Sequence, residues 1–325
     1  MNYIQQGFKG KSDWYIWLIT ILLVFFGWQI IGAIPLIMVA YSHSEDLNEF
    51  VTAGNDNFMT LGIDKNLFLF LMLFTFVVGF IALVISIKFV HKRTLTSLVT
   101  SRKKIDWKRF WFGFITWSSS IIILTTLGIY FAPEDYTYNF KPVPFFILVT
   151  ISLLFLPLQT SLEELLFRGY FMQGIGVLAK NRWVPLIITS VCFGLLHGAN
   201  PEVEKLGYIT MVFYIGTGFF YGVTTLMDEG TELALGLHAA NNMLAAFLIT
   251  TDWMVFQTDA LFVDTSEPSV TWEMFVPVLV LYPLMLLLFA KKYKWTNWLE
   301  KLTGRIDKPV NLTENYRILE DIGAE

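Results

Sequence analysis

Two glutamates and an arginine stand inside an apolar run, SLEELLFRGY, at Glu163, Glu164 and Arg168. His197 closes a second run, VCFGLLH, and His238 and Asn242 share a third, HAANN. An ionisable group at the centre of a bilayer costs roughly 2.5–3.5 kcal/mol by insertion scales, so these groups are expected to face one another around a wet cavity. Helical spacing then sorts them. Glu164 and Arg168 are four apart, share a face and are predicted to pair, whereas Glu163 points about 100° away and is left for another partner. His238 and Asn242 repeat the interval of four, and Phe193 stands one turn before His197 as an aromatic wall. A carboxylate beside an imidazole can hold a water and take its proton, and a second imidazole with an amide can donate to a developing oxyanion. That set suffices for peptide hydrolysis without a covalent intermediate. Glu163, His197 and His238 would equally make a three-ligand zinc site with one open position. The plainer readings are a structural ion pair for Glu164 with Arg168, and an interhelical bridge for Asn242. Two histidines, an unpaired carboxylate and an amide together exceed what such bridging requires.

The elements that carry these residues are membrane helices. Of 325 residues, 55% are hydrophobic and 15% charged, and the mean hydropathy of +0.56 is too high for a soluble domain of this length. Thirty Phe and eleven Trp suit a lipid-facing surface with interfacial aromatic belts. The chain is predicted to be all-α, with eight transmembrane helices over residues 15–40, 67–88, 110–132, 144–178, 183–198, 207–227, 232–250 and 273–290; a crossing needs about 20 apolar residues, fewer when tilted or buried. Pro157 and the apolar continuation to residue 178 predict a long, bent fourth helix with Glu163 near its middle. Gly194, Gly198, Gly236, Ala239 and Ala240 would let helices approach closely enough for the polar groups to meet. A single transmembrane domain is expected over residues 1–290, its motif-bearing core at 144–250. The tail, 291–325, carries Trp295, Trp298, Leu299 and Leu302 at helical spacing and is expected to lie partly in the interface.

Charge in the connections predicts orientation. Lys92, Arg93, Arg102, Lys103, Lys104, Lys108 and Arg109 follow the second span, and Lys291, Lys292 and Lys294 follow the eighth, whereas Glu45, Asp46, Glu49, Asp252, Asp259, Asp264 and Glu267 occupy the opposite connections. Both termini are therefore expected in the cytoplasm. The first span is too long for a signal-peptide core and reads as a retained anchor. Cys192, the single cysteine, excludes an intramolecular disulfide and a cysteine zinc cage, and no nucleic-acid footprint is present.

The order E-E-x-x-x-R, F-x-x-x-H, H-x-x-x-N on successive apolar helices resembles the CPBP family of intramembrane endopeptidases, which comprises Rce1-type CAAX prenyl proteases and the bacteriocin-processing or immunity proteins also called Abi. The resemblance covers residues 144–250. It implies an eight-helix bundle with a cavity open to membrane and cytosol, Glu163 activating water with His197, His238 and Asn242 binding the oxyanion, and Glu164 and Arg168 holding the base. The expectation is an intramembrane endopeptidase in the cell membrane, without a cofactor or with zinc, cutting a membrane-associated peptide or protein near the cytoplasmic half of the bilayer. The rivals are a catalytically silent immunity or partner protein of the same fold, and a small proton-coupled transporter; the latter calls for inverted repeats or paired broken helices, which the sequence lacks.

Overall fold

The computed structural model describes residues 1–55 and 58–309. Among the described residues, six helices are long and apolar enough to cross a membrane: α1 (Trp14–His43), α2 (Lys65–Val90), α3 (Trp107–Phe131), α4 (Pro142–Ala179), α6 (Tyr208–Asp228) and α8 (Trp272–Tyr293). Between them lie two shorter helices, α5 (Trp183–Ala199) and α7 (Glu232–Phe247). Among the described residues, six of the eight predicted spans fall on helices long enough to cross; the other two, 183–198 and 232–250, fall on α5 and α7, which are shorter than a full crossing. Large apolar side chains such as Leu22, Phe26, Ile115, Ile123 and Leu287 are exposed on the long helices, as a hydrocarbon-facing surface requires. The protein is a multi-pass integral membrane protein.

The fourth helix decides where the acidic pair sits. It runs unbroken for 38 residues, about 57 Å at 1.5 Å per residue, nearly twice the hydrocarbon thickness. Pro157 lies inside it, where the missing N–H frees a carbonyl and weakens the local ladder. The Thr160 hydroxyl donates to the Leu156 carbonyl at 3.0 Å beside that gap. Immediately after Glu164 the helix widens into a π turn, Leu165–Phe171, before resuming at Met172; such turns concentrate at functional sites. Glu163 lies just past the middle of this rod.

Close approach brings the neighbouring helices in. On α7, a Cβ added at Gly236 would lie 2.0 Å from the Phe110 carbonyl of α3, and one at Gly113 of α3 would lie 2.7 Å from the Leu233 carbonyl. Only glycine permits these backbones to touch. Gly194 packs in the same way against Ile215 of α6, and Gly218 of α6 against Ser190 of α5. Ala239 and Ala240 are buried. Gly198 faces open space, so the packing role expected of it falls to Gly218.

Two features of the connections lay outside the sequence reading. A small sheet in the order β1-β3-β2, formed by β1 (Tyr136–Tyr138), β2 (Ile249–Thr250) and β3 (Phe262–Asp264), ties the acidic connections together. At the basic end the tail packs against the bundle as far as Ile306: α9 (Trp298–Thr303) contributes Leu302 to a cluster with Tyr3, Ile4 and Leu186, and Ile306 is buried there. Trp298 and Leu299 remain exposed, as an interfacial surface would be. The rest of the predicted tail lies outside the described residues.

Candidate active site

Glu164 and Arg168 form the pair expected from their spacing. Arg168 Nη1 donates to Glu164 Oε1 at 3.0 Å, with both side chains fully buried. A bare pair would not repay the desolvation of two charges, and further contacts help: Arg168 Nη2 donates to the Gly218 carbonyl at 3.1 Å, and the guanidinium lies 4.1 Å over the Phe193 ring. The other face of the cluster is His238. Its Nδ1 lies 2.9 Å from Glu164 Oε1, and its Nε2 lies 3.5 Å from Glu163 Oε2. A carboxylate only accepts, so Nδ1 carries a proton. His238 thus sits between the two glutamates, with Tyr221 stacked on it at 5.1 Å and Phe193 edge-on at 5.9 Å.

Glu163 has a more local partner than the one anticipated. Its Oε1 accepts from Gln159 Nε2 at 2.7 Å, one turn back on α4, while its Oε2 is buried without a hydrogen-bond partner among protein groups. Asn242 is engaged as well: Nδ2 donates to Gln159 Oε1 at 2.9 Å, and Oδ1 accepts from Asn241 at 3.1 Å. The expected pairing of His238 and Asn242 as free donors is modified accordingly, since one Asn242 N–H is already committed.

His197 closes α5. Its Nδ1 lies 2.8 Å from the Phe193 carbonyl, which requires an N–H there and leaves Nε2 with a lone pair in the neutral ring. The imidazole lies between Phe193, at 4.9 Å, and Tyr214, stacked at 4.5 Å. Tyr214 and Asn200 both donate to Glu202 Oε1, and Glu202 Oε2 accepts the Val255 N–H at 3.1 Å.

All of these groups except Glu164 and Arg168, which lie behind the wall, line one cavity of about 350 Å³: Glu163, Phe193, His197, His238 and Asn242 among the predicted residues, with Gln159, Asn241, Glu202 and Tyr214 added. Its remaining wall is apolar, including Met72, Phe76 and Phe213, and part of it comes from Met254, Val255 and Phe256 in the acidic connections. Tyr221 and Tyr214 were missed because an aromatic on an apolar helix carries no chemical signal. Gln159 had one: it is a polar residue four before Glu163. As for zinc, no group of three or more His, Cys, Asp or Glu side chains among the described residues is arranged to hold a metal ion.

A family model described as "Type II CAAX prenyl endopeptidase Rce1-like" matches residues 142–244. The chain carries an Rce1-like domain. That Rce1-like domain runs from the start of α4 into α7 and holds every residue of the three motifs. The chain is 32% identical over 197 residues to the "Uncharacterized protein YyaK" of Bacillus subtilis (strain 168), an alignment covering 60% of this chain and 66% of that one. No solved structure matches the chain.

Proposed function

We propose that the protein is an intramembrane endopeptidase that hydrolyses a peptide bond of a membrane-associated protein or peptide with water activated by Glu163. The observation that carries this reading is the Glu163 carboxylate in the cavity wall, one oxygen held by Gln159 and the other without a hydrogen bond, 3.5 Å from His238 Nε2. Water binds between the Glu163 carboxylate and His197 Nε2, and its oxygen adds to the substrate carbonyl carbon as its proton passes to Glu163. The developing oxyanion accepts from His238 Nε2–H and from the uncommitted N–H of Asn242. Glu163 then delivers the proton to the leaving nitrogen as the C–N bond breaks. Two carboxylates, the Arg168 guanidinium and a protonated His238 make an electrically neutral cluster, which suits a low-dielectric interior. The donor geometry favours this metal-free route over a zinc-bound one.

The cavity, with polar groups on one side and Met72, Phe76, Phe213 and Phe256 on the other, fits a short extended peptide segment entering from lipid. The loop charges support both termini in the cytoplasm of a cell-membrane protein. With that orientation the wall built by Met254–Phe256 faces the non-cytoplasmic side, in place of the opening to the cytosol and the cut in the cytoplasmic half that the resemblance led one to expect. In a Cys192→Ser background, Ser269→Cys should react with an impermeant maleimide in intact cells and Lys103→Cys only after permeabilisation; the reverse pattern inverts the topology.

The function is tested by peptidomics of membrane fractions from cells carrying the native protein or Glu163→Gln. A peptide terminus should appear with the native protein and be missing with the variant. A cellular phenotype that Glu163→Gln leaves intact would instead favour a catalytically silent partner or immunity protein.

A further inference from the structure

Four hydrogen bonds run in one sense across three helices. Trp117 Nε1 of α3 donates to Asn241 Oδ1 at 3.2 Å, Asn241 Nδ2 to Asn242 Oδ1 at 3.1 Å, Asn242 Nδ2 to Gln159 Oε1 at 2.9 Å, and Gln159 Nε2 to Glu163 Oε1 at 2.7 Å. The two ends fix the direction. An indole N–H can only donate and a carboxylate can only accept, so reversing any amide between them would set donor against donor or acceptor against acceptor at both of its contacts. Bonds aligned this way polarise one another, and the last one, to an ionised acceptor, is the strongest kind. The shortening from 3.2 to 2.7 Å toward the carboxylate agrees with that.

Trp117 touches no part of the cavity. It is buried with Phe220 and Tyr282, 6.0 and 5.8 Å away between ring centroids, so α3 lies outside the constellation that the motifs announce. We infer that Trp117, Asn241 and Gln159 are positioning residues: through Asn242 they form a one-way relay that holds one oxygen of Glu163 and thereby fixes the carboxylate at the cavity wall with its other oxygen toward His238 Nε2. The inference rests on Glu163 being the base of the proposed reaction. Other charged or titratable groups around Glu163 are Glu164 and Arg168 on its own helix, His238 on α7, His197 on α5, Tyr214 and Tyr221 on α6, and Glu202 in the connection before α6. None of them donates to Glu163 Oε1; Gln159 does.

The test uses full-length protein in lipid nanodiscs. The infrared difference between native protein and Glu163→Gln isolates the Glu163 carboxylate stretch. Gln159→Met, which keeps the side-chain length, and Trp117→Phe, which keeps the ring and removes the N–H, should both move that band, the first more than the second, with the unfolding temperature near native in Trp117→Phe. With a cleavable substrate, kcat should fall about tenfold in Gln159→Met, the scale of a hydrogen bond to a charged group, while KM stays near native. A band unmoved in both variants overturns the relay. If the band moves but the native protein cleaves nothing, the relay holds and the proposed hydrolysis fails.

Discussion

At the basic end of the bundle, Asp228, Glu229 and Glu232 have every carboxylate oxygen bonded. Asp228 accepts from Arg102 at 3.0 Å, from Arg109 and from Trp295. Glu232 accepts from Arg102 at 3.1 Å and from the Asp106 N–H at 3.2 Å, and Glu229 from Arg182, Lys301 and the Tyr3 N–H. At the cavity wall and just behind it, Glu163 and Glu164 each leave one oxygen without a protein partner, and Arg168 leaves Nε unpaired. Both clusters are buried and both join distant segments. A charge network whose members are all satisfied acts as a clasp, here tying the N-terminus, the α2–α3 connection, the α6–α7 link and the tail together. A network that retains acceptors without protein partners beside a cavity keeps the means to bind a water or a substrate group.

Breaking the cavity cluster at its most buried member should have the largest effect. Arg168→Met leaves Glu164 buried without its cation, a loss of about 3–5 kcal/mol; Arg168→Lys should rescue little, because an ammonium cannot span both Glu164 and the Gly218 carbonyl as the guanidinium does. Thermal unfolding in detergent measures both. A near-native unfolding temperature for Arg168→Met would show that the ion pair is dispensable to the fold.

The clasp should reveal itself through pH. Burial pushes the Glu229 carboxyl up, but Arg182 and Lys301, with the Tyr3 N–H, outweigh it and hold the group below its ordinary value. A carboxyl lowered in the folded state adds stability that is present above its unfolded value and disappears as pH falls through its folded value. Glu229→Gln should therefore be less stable than native protein at neutral pH and lose that deficit in acid. Equal deficits at both pH values would remove Glu229 from the clasp.

The smallest expected effect is that of metal removal. Cleavage should survive exhaustive chelation, because in the proposed reaction Glu163 itself takes the proton of the attacking water. Activity lost with the chelator and restored by zinc would move the chemistry onto a metal.

Much of the cavity cluster was legible in the sequence because membrane burial makes every polar residue conspicuous. Glu163, Glu164, Arg168, His197, His238 and Asn242 stand out against apolar helices, and intervals of four place Glu164 with Arg168. The length of α4 followed from the same logic. What periodicity could not supply was the partner across the bundle. Nothing in the order of residues links Trp117 to Asn241, or Arg102 to Asp228 over 126 positions, and Asp228 and Glu232 at helix ends look like ordinary termini until the α2–α3 connection folds onto them. The interval of four between Gln159 and Glu163, by contrast, did carry the signal for their contact.

The distinction between chemistry and clasp is tested most directly by comparing Glu163→Gln and Asp228→Asn, with cleavage per folded molecule and unfolding temperature measured on the same preparations. Glu163→Gln should lose about 10²- to 10⁴-fold in cleavage with an unfolding temperature near native, and Asp228→Asn should keep its cleavage while losing about 3–5 kcal/mol of stability. Cleavage that survives Glu163→Gln, or that collapses in folded Asp228→Asn, would contradict the assignment of water activation to Glu163 and of the fold's closure to Asp228.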